Sequence, residues 1–146
     1  MRDLPRQLSA DQLAELFEGR TEFVERLAPE EHPLERARTL VHELSRDEKI
    51  ELLAAHPAIG QQAGLSPRSA AEQGADADPD VLAELARLNA VYETRHGFRF
   101  VVFVNRRPKS EILDVLRERI ARPTYRELET ALDELVAIAE DRWRSG

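Results

Sequence analysis

The sequence predicts an all-α fold: a compact multi-helix domain with one short extended segment near residues 98–104. Three observations carry that expectation. Apolar residues recur at helical spacing through most of the chain, and capping residues stand ahead of most of the apolar runs. Only one stretch, "FRFVVFV", has the aromatic and β-branched character of extended chain.

The elements follow in order. Ser9 and Gln12 have capping-box spacing ahead of "ADQLAELFEG", with Gly19 as the stop. Thr21 caps "TEFVERLA", which ends at Pro29. Pro33 suits a first helical position, and Leu34, Ala37, Leu40, Val41 and Leu44 then share one face. Ser45 and Glu48 make a second capping box, opening "RDEKIELLAAH". Ser66 and Pro67 start a short turn, "PRSAAEQ", and Asp78 with Pro79 opens a longer helix carrying Leu82, Leu85, Asn89 and Tyr92 in register to near Gly97. "SEILDVLRERI" follows. Thr124 and Glu127 then cap a last helix that turns Leu128, Leu132, Leu135, Ile138 and Ala139 inward.

The extended stretch Phe98 to Val104 is bounded by Gly97 and "NRRP", and nothing else reads as a strand to pair with it. Unless it is itself helical, its N–H and C=O groups need water, a neighbouring loop, a two-fold mate or a ligand.

Composition narrows the function. A chain of 146 residues with 42% hydrophobic content is most simply one domain, residues 1–146. A net charge of −7 argues against a nucleic acid or an anionic membrane as partner. The short basic clusters, Arg106 to Lys109 and Arg142 to Arg144, read as solvated surface. No cysteine is present, which removes disulfides, thiol nucleophiles and cysteine zinc sites. No metal-ligand spacing, phosphate-binding glycine motif or nucleophile elbow occurs, so chemistry without a metal or other cofactor is expected. With no apolar run of membrane length and no signal-like N-terminal segment, a cytoplasmic location is expected.

Two places could carry acid–base chemistry. In "LLAAHPAIG" a helix runs into His56 and is stopped by Pro57. The helix dipole favours the imidazolium there and burial the neutral ring, so the group can titrate near neutrality. In "SPRSAAEQ", Ser69, Glu72 and Gln73 are spaced to share one helix face, with Ala70 and Ala71 between them. Each has a plain structural alternative: a histidine capping a helix end, and a solvated first turn with a favourable acid. His32 reads as a helix flank, His42 as exposed opposite the apolar stripe, and His96 as the end of the Tyr92 helix.

Taken together, "AAHPAIG", "LSPRSAAEQ" and "LNAVYETRHGFRFVVFV" occur in an order and spacing that resembles the 2-oxo-4-hydroxy-4-carboxy-5-ureidoimidazoline (OHCU) decarboxylases of the urate-to-allantoin pathway. The flanks "LAELFEGRTEFVERLA" and "ELETALDELVAIAEDR" agree, so the resemblance covers nearly the whole chain. It implies an all-helical, cofactor-free decarboxylase giving (S)-allantoin and CO2, with a small ureidoimidazoline as substrate and a possible homodimer. It also implies His56 as general acid/base with Glu72 as its carboxylate partner. Pro57, Ser69, Ala70, Ala71 and Gln73 would line the substrate, and main-chain groups of Phe100, Val101, Val102, Phe103 and Val104 would hydrogen-bond its amides.

The chain departs from the family pattern in places. Arg99 stands where proline is usual, and it could bind the substrate carboxylate or point to solvent. "HPAIG" replaces His-Pro-Asp-Leu, the connection from His56 to Ser69 is short, "QGADADPD" is less glycine-rich than its counterparts, and "RIARP" lacks an asparagine. The alternatives are the same site acting on another ureido or imidazoline compound, and a non-catalytic helical interaction module. A scaffold, however, has no physical need for His56, Ser69, Glu72 and Gln73 together.

Overall fold

The computed structural model of the protein describes residues 2–59 and 78–146. The expected turn "PRSAAEQ", with Ser69, Ala70, Ala71, Glu72 and Gln73, lies outside the described residues. Those residues form helices α1 (Ala10–Leu16), α2 (Glu22–Leu27), α3 (Pro33–Leu40), α4 (Arg46–Ala54), α5 (Pro79–His96), α6 (Lys109–Ile120) and α7 (Thr124–Ser145). Among them there is no strand, so the fold is all-α as the periodicity predicts. The chain divides into two compact units, the first running to His56 and taking back Leu132–Gly146, the second Pro57–Ala131.

In the first unit the local signals are obeyed. Ser9 and Ser45 each accept a hydrogen bond from the main chain three residues on, and the Gln12 and Glu48 side chains accept from the cap N–H in return. Thr21 caps α2 through the Val24 N–H. The expected stripe of α3 buries Leu34, Ala37, Val41 and Leu44, and past Leu40 the helix tightens into a 3-10 turn, Val41–Glu43. From α7, Leu132, Leu135, Val136, Ile138 and Ala139 join this core. His42 lies outside the stripe, its Nε2 2.7 Å from Asp133 Oδ1.

Two expectations need correction here. Helix α1 ends at Leu16, and the left-handed residue beyond it is Glu18 (φ 63°), ahead of Gly19 (φ 154°). The second concerns Arg142, which is buried rather than solvated. Its Nη1 donates to the carbonyls of Glu15 and Leu16, and its Nη2 to Glu18 Oε1 at 3.0 Å. One guanidinium thus satisfies orphan carbonyls at the end of α1 and anchors the carboxylate of the left-handed residue.

In the second unit, α5 begins where Asp78 caps the Asp80 N–H and stops at Gly97, whose φ of 83° suits a residue without a Cβ. Leu85, Leu88, Asn89, Tyr92 and His96 are its buried face. Phe98, Phe100, Ile112 and Leu116 pack the same core. The Tyr92 ring meets Phe98 and Phe100 edge-on, at centroid distances of 5.9 and 5.1 Å.

The expected Thr124–Glu127 cap is replaced. The carboxylate of Glu127, fully buried, accepts from the Tyr92 hydroxyl at 2.7 Å and from Arg119 Nε at 2.8 Å, while Arg122 Nη1 lies 3.3 Å from its other oxygen. The Thr124 hydroxyl instead meets His96 Nδ1 at 2.7 Å. A buried carboxylate gains more from a guanidinium and a phenol than from one cap N–H, and that difference decides the arrangement.

Candidate active site

Helix α4 delivers His56. Its last turn closes with the Ala55 N–H bonded to Leu52, and the His56 N–H donates to the Leu53 carbonyl at 3.2 Å. The main chain of His56 is therefore tied to the helix end before Pro57 turns the chain away. The side chain is 5% exposed, so the imidazole is removed from bulk water. Just beyond, Asn89 on α5 donates from Nδ2 to the Ile59 carbonyl at 2.9 Å. An asparagine on an otherwise apolar helix face was the available signal for this tether; it fixes the chain that leads away from Pro57.

The second group of expected site residues is the segment Phe100, Val101, Val102, Phe103 and Val104. It is neither helix nor strand, which settles the helical alternative against it. All but half-exposed Phe103 are buried. Its carbonyls are met by arginines. Arg119 Nη1 donates to Val101 at 2.8 Å, Arg107 Nη2 to Phe103 at 2.6 Å and Arg107 Nε to Val104 at 3.0 Å. The Arg119 guanidinium also lies 4.7 Å above the Phe100 ring.

Sequence reasoning missed these groups. It read "RRPK" as solvated surface, whereas Arg107 is only half exposed and Lys109 is 8% exposed. The reason is physical. A guanidinium carries five N–H donors in a fixed fork, and a segment with no strand neighbour supplies unmet carbonyls within its reach. Those unmet carbonyls were the signal.

His96 is buried at 2% exposure, with Nε2 3.2 Å from the Arg119 carbonyl. A carbonyl only accepts, so Nε2 carries the proton in that bond and the ring helps hold the last turn of α6. Arg99, the residue in place of the family proline, pairs through Nε with Glu93 Oε1 at 3.2 Å on the helix that precedes it. Among the described residues no three His, Asp or Glu side chains gather closely enough to hold a metal ion. Nor, among those residues, is any helix long and apolar enough to cross a membrane.

Comparison with known proteins adds a further line. The sequence profile of the family described as OHCU decarboxylase matches residues 2–144. A 2-oxo-4-hydroxy-4-carboxy-5-ureidoimidazoline decarboxylase of Haloferax volcanii is 36% identical over 107 residues, 70% of this chain and 63% of that protein. Its counterpart in Halalkalicoccus jeotgali is 32% identical over 103 residues, 68% of this chain and 58% of that protein. The matched stretch thus spans about six-tenths of the length of either relative. A uric acid degradation bifunctional protein of Arabidopsis thaliana is 33% identical over 102 residues, 64% of this chain and 32% of that protein. A crystal structure of an OHCU decarboxylase in the presence of (S)-allantoin superposes with a TM-score of 0.77 at 25% identity, covering 92% of this chain and 96% of that one. A crystal structure of (S)-allantoin synthase gives 0.70 at 25% identity, covering 93% and 48%.

Proposed function

Because the chain belongs to the OHCU decarboxylase family, we propose that it decarboxylates 2-oxo-4-hydroxy-4-carboxy-5-ureidoimidazoline to (S)-allantoin and CO2 in urate degradation, with His56 as general acid/base and Glu72 as its partner. The bond from the ring carbon to the carboxylate breaks, and its electron pair forms a C=C bond with the neighbouring ureido-bearing carbon. The C=N pair moves to nitrogen, which takes a proton. The hydroxyl then loses its proton as the carbonyl forms, and the ureido-bearing carbon is protonated on one face. One proton is consumed overall. The substrate's own C=N accepts the electrons, so no separate electron sink is required.

What remains for the protein is to hold the carboxylate out of the ring plane and to move protons with stereochemical control. Pro57, Ser69, Ala70, Ala71 and Gln73 line the substrate in this reading, and the main chain of Phe100 to Val104 meets its amides. No cofactor takes part, and the protein works as a homodimer in the cytoplasm on a free small molecule. The observation that carries the reading is the setting of His56: a buried imidazole at a helix end, tied by its main chain to Leu53 and followed by proline.

The test uses the ureidoimidazoline generated in situ from urate by the two preceding enzymes. Following allantoin by circular dichroism, this protein should give one enantiomer rapidly. Slow racemic allantoin, as in the uncatalysed decay, would mean that the substrate is another compound.

A further inference from the structure

In a sheet, the carbonyls of an extended segment are satisfied by the strands on its two sides, each neighbour taking alternate residues. Among the described residues Phe100 to Val104 has no such neighbour, and two guanidinium groups stand in its place. Arg119 holds the carbonyl of Val101, and Arg107 holds those of Phe103 and Val104. Both arginines are themselves fixed. Arg119 sits in the last turn of α6, its Nε on Glu127 and its own carbonyl against His96. Arg107 closes a tight turn: its N–H donates to the Val104 carbonyl at 3.0 Å, across Asn105 (φ 48°) and Arg106 (φ 65°). Two successive left-handed residues that are not glycine cost free energy, and such strain persists where surrounding contacts over-determine it.

The other residues of the segment are treated differently. Phe100 and Val102 are 2% and 7% exposed, yet among the described residues neither donates nor accepts a main-chain hydrogen bond. Buried main-chain groups are rarely left so. From this we infer that Arg107 and Arg119 are positioning residues, holding the carbonyls of Val101, Phe103 and Val104 so that the N–H and C=O groups of Phe100 and Val102 are left to read the ligand. The inference rests on the decarboxylase reading for the identity of that ligand, and on the hydrogen bonds alone for the clamp.

The decisive variant is Arg107→Met, because Arg107 is half exposed and its loss strands no buried acid. Without its charged donors the segment should loosen, with 15N order parameters of residues 100–104 falling from about 0.85 to below about 0.6. With substrate generated in situ, KM should rise about tenfold or more, the loss expected for a hydrogen bond to a charged group, with kcat changed less than about threefold. Arg107→Lys should recover part of the KM. Arg119→Lys, which keeps a charge beside Glu127, should move KM the same way. Unchanged order parameters in Arg107→Met would overturn the clamp, and a loosened segment with unchanged KM would overturn its role towards the ligand. A wild-type protein that neither turns over the ureidoimidazoline nor binds (S)-allantoin would sink the decarboxylase reading itself. The order parameters need no substrate and would still decide the clamp.

Discussion

The hydroxyl of Tyr92 donates to Oε1 of Glu127 at 2.7 Å, joining the middle of α5 to the start of α7 across a separation of 35 residues. Burial pushes the Tyr92 phenol well above its ordinary range, and the hydrogen bond to Glu127 adds to this. A phenol whose folded-state value is raised contributes stability that is complete below the unfolded-state value of about 10 and is lost as the pH climbs past it. Tyr92→Phe should therefore leave the tyrosinate absorbance gained between about pH 9 and 11 unchanged in the folded protein. It should also cost roughly 1.5–3 kcal/mol at neutral pH, the range for a hydrogen bond to a charged acceptor. Alkaline difference spectroscopy and urea unfolding check the two halves.

Arg119 is the counter-ion of the same carboxylate. Removing it with Arg119→Met leaves a buried acid short of its nearest charge and should cost about 3–5 kcal/mol in urea unfolding. Adding Glu127→Leu to that variant should return part of the loss, since an apolar pair avoids the desolvation of both charges. A double variant less stable than the single one would contradict this.

The contrast between these residues and the caps shows what could be read from the chain. Ser9 with Gln12 and Ser45 with Glu48 formed as expected because a capping box is closed within four residues. Thr124 and Glu127 have the same spacing and did not, because Tyr92, Arg119 and His96 compete for their side chains from elsewhere in the chain. The non-helical character of Phe98 to Val104 was legible from its β-branched and aromatic residues. The arginines that satisfy it were signalled only by the segment's unmet carbonyls, since a local "RRP" looks the same whether it faces water or carbonyls. His56 and Pro57 could be singled out because a helix signal ends there abruptly. The order of the motifs, rather than any one of them, pointed to the family.

The cap at Ser45 offers a pH test. The Glu48 carboxyl lies below its ordinary range because it accepts from the Ser45 main-chain N–H, with the Ser45 hydroxyl and Arg26 helping and desolvation opposing. A lowered carboxylate contributes stability above its unfolded-state value and loses it as the pH falls through the folded-state one. Glu48→Gln should thus lose less Tm than the wild-type protein between neutral pH and about pH 3. Ser45→Ala should cost about 1 kcal/mol at neutral pH.

Arg106 occupies the second left-handed position of the turn after Val104, with φ 65°. Arg106→Gly relieves a steric cost of roughly 1–2 kcal/mol against a smaller loss in chain entropy, so it should leave stability unchanged or raise it by up to about 1 kcal/mol. Asn105→Ala, at φ 48°, should act in the opposite sense. Thermal denaturation of the two variants separates a strained turn from an unstrained one.

The most direct measurement compares His56→Gln with the wild-type protein, following (S)-allantoin formation by circular dichroism and Tm in the same buffer. General acid–base work by His56 predicts a rate lower by about 10²–10⁴-fold, with Tm within a few degrees of wild type. A variant that keeps its rate, or one whose activity falls only as its Tm collapses, would contradict the assignment and leave His56 as the end of a helix.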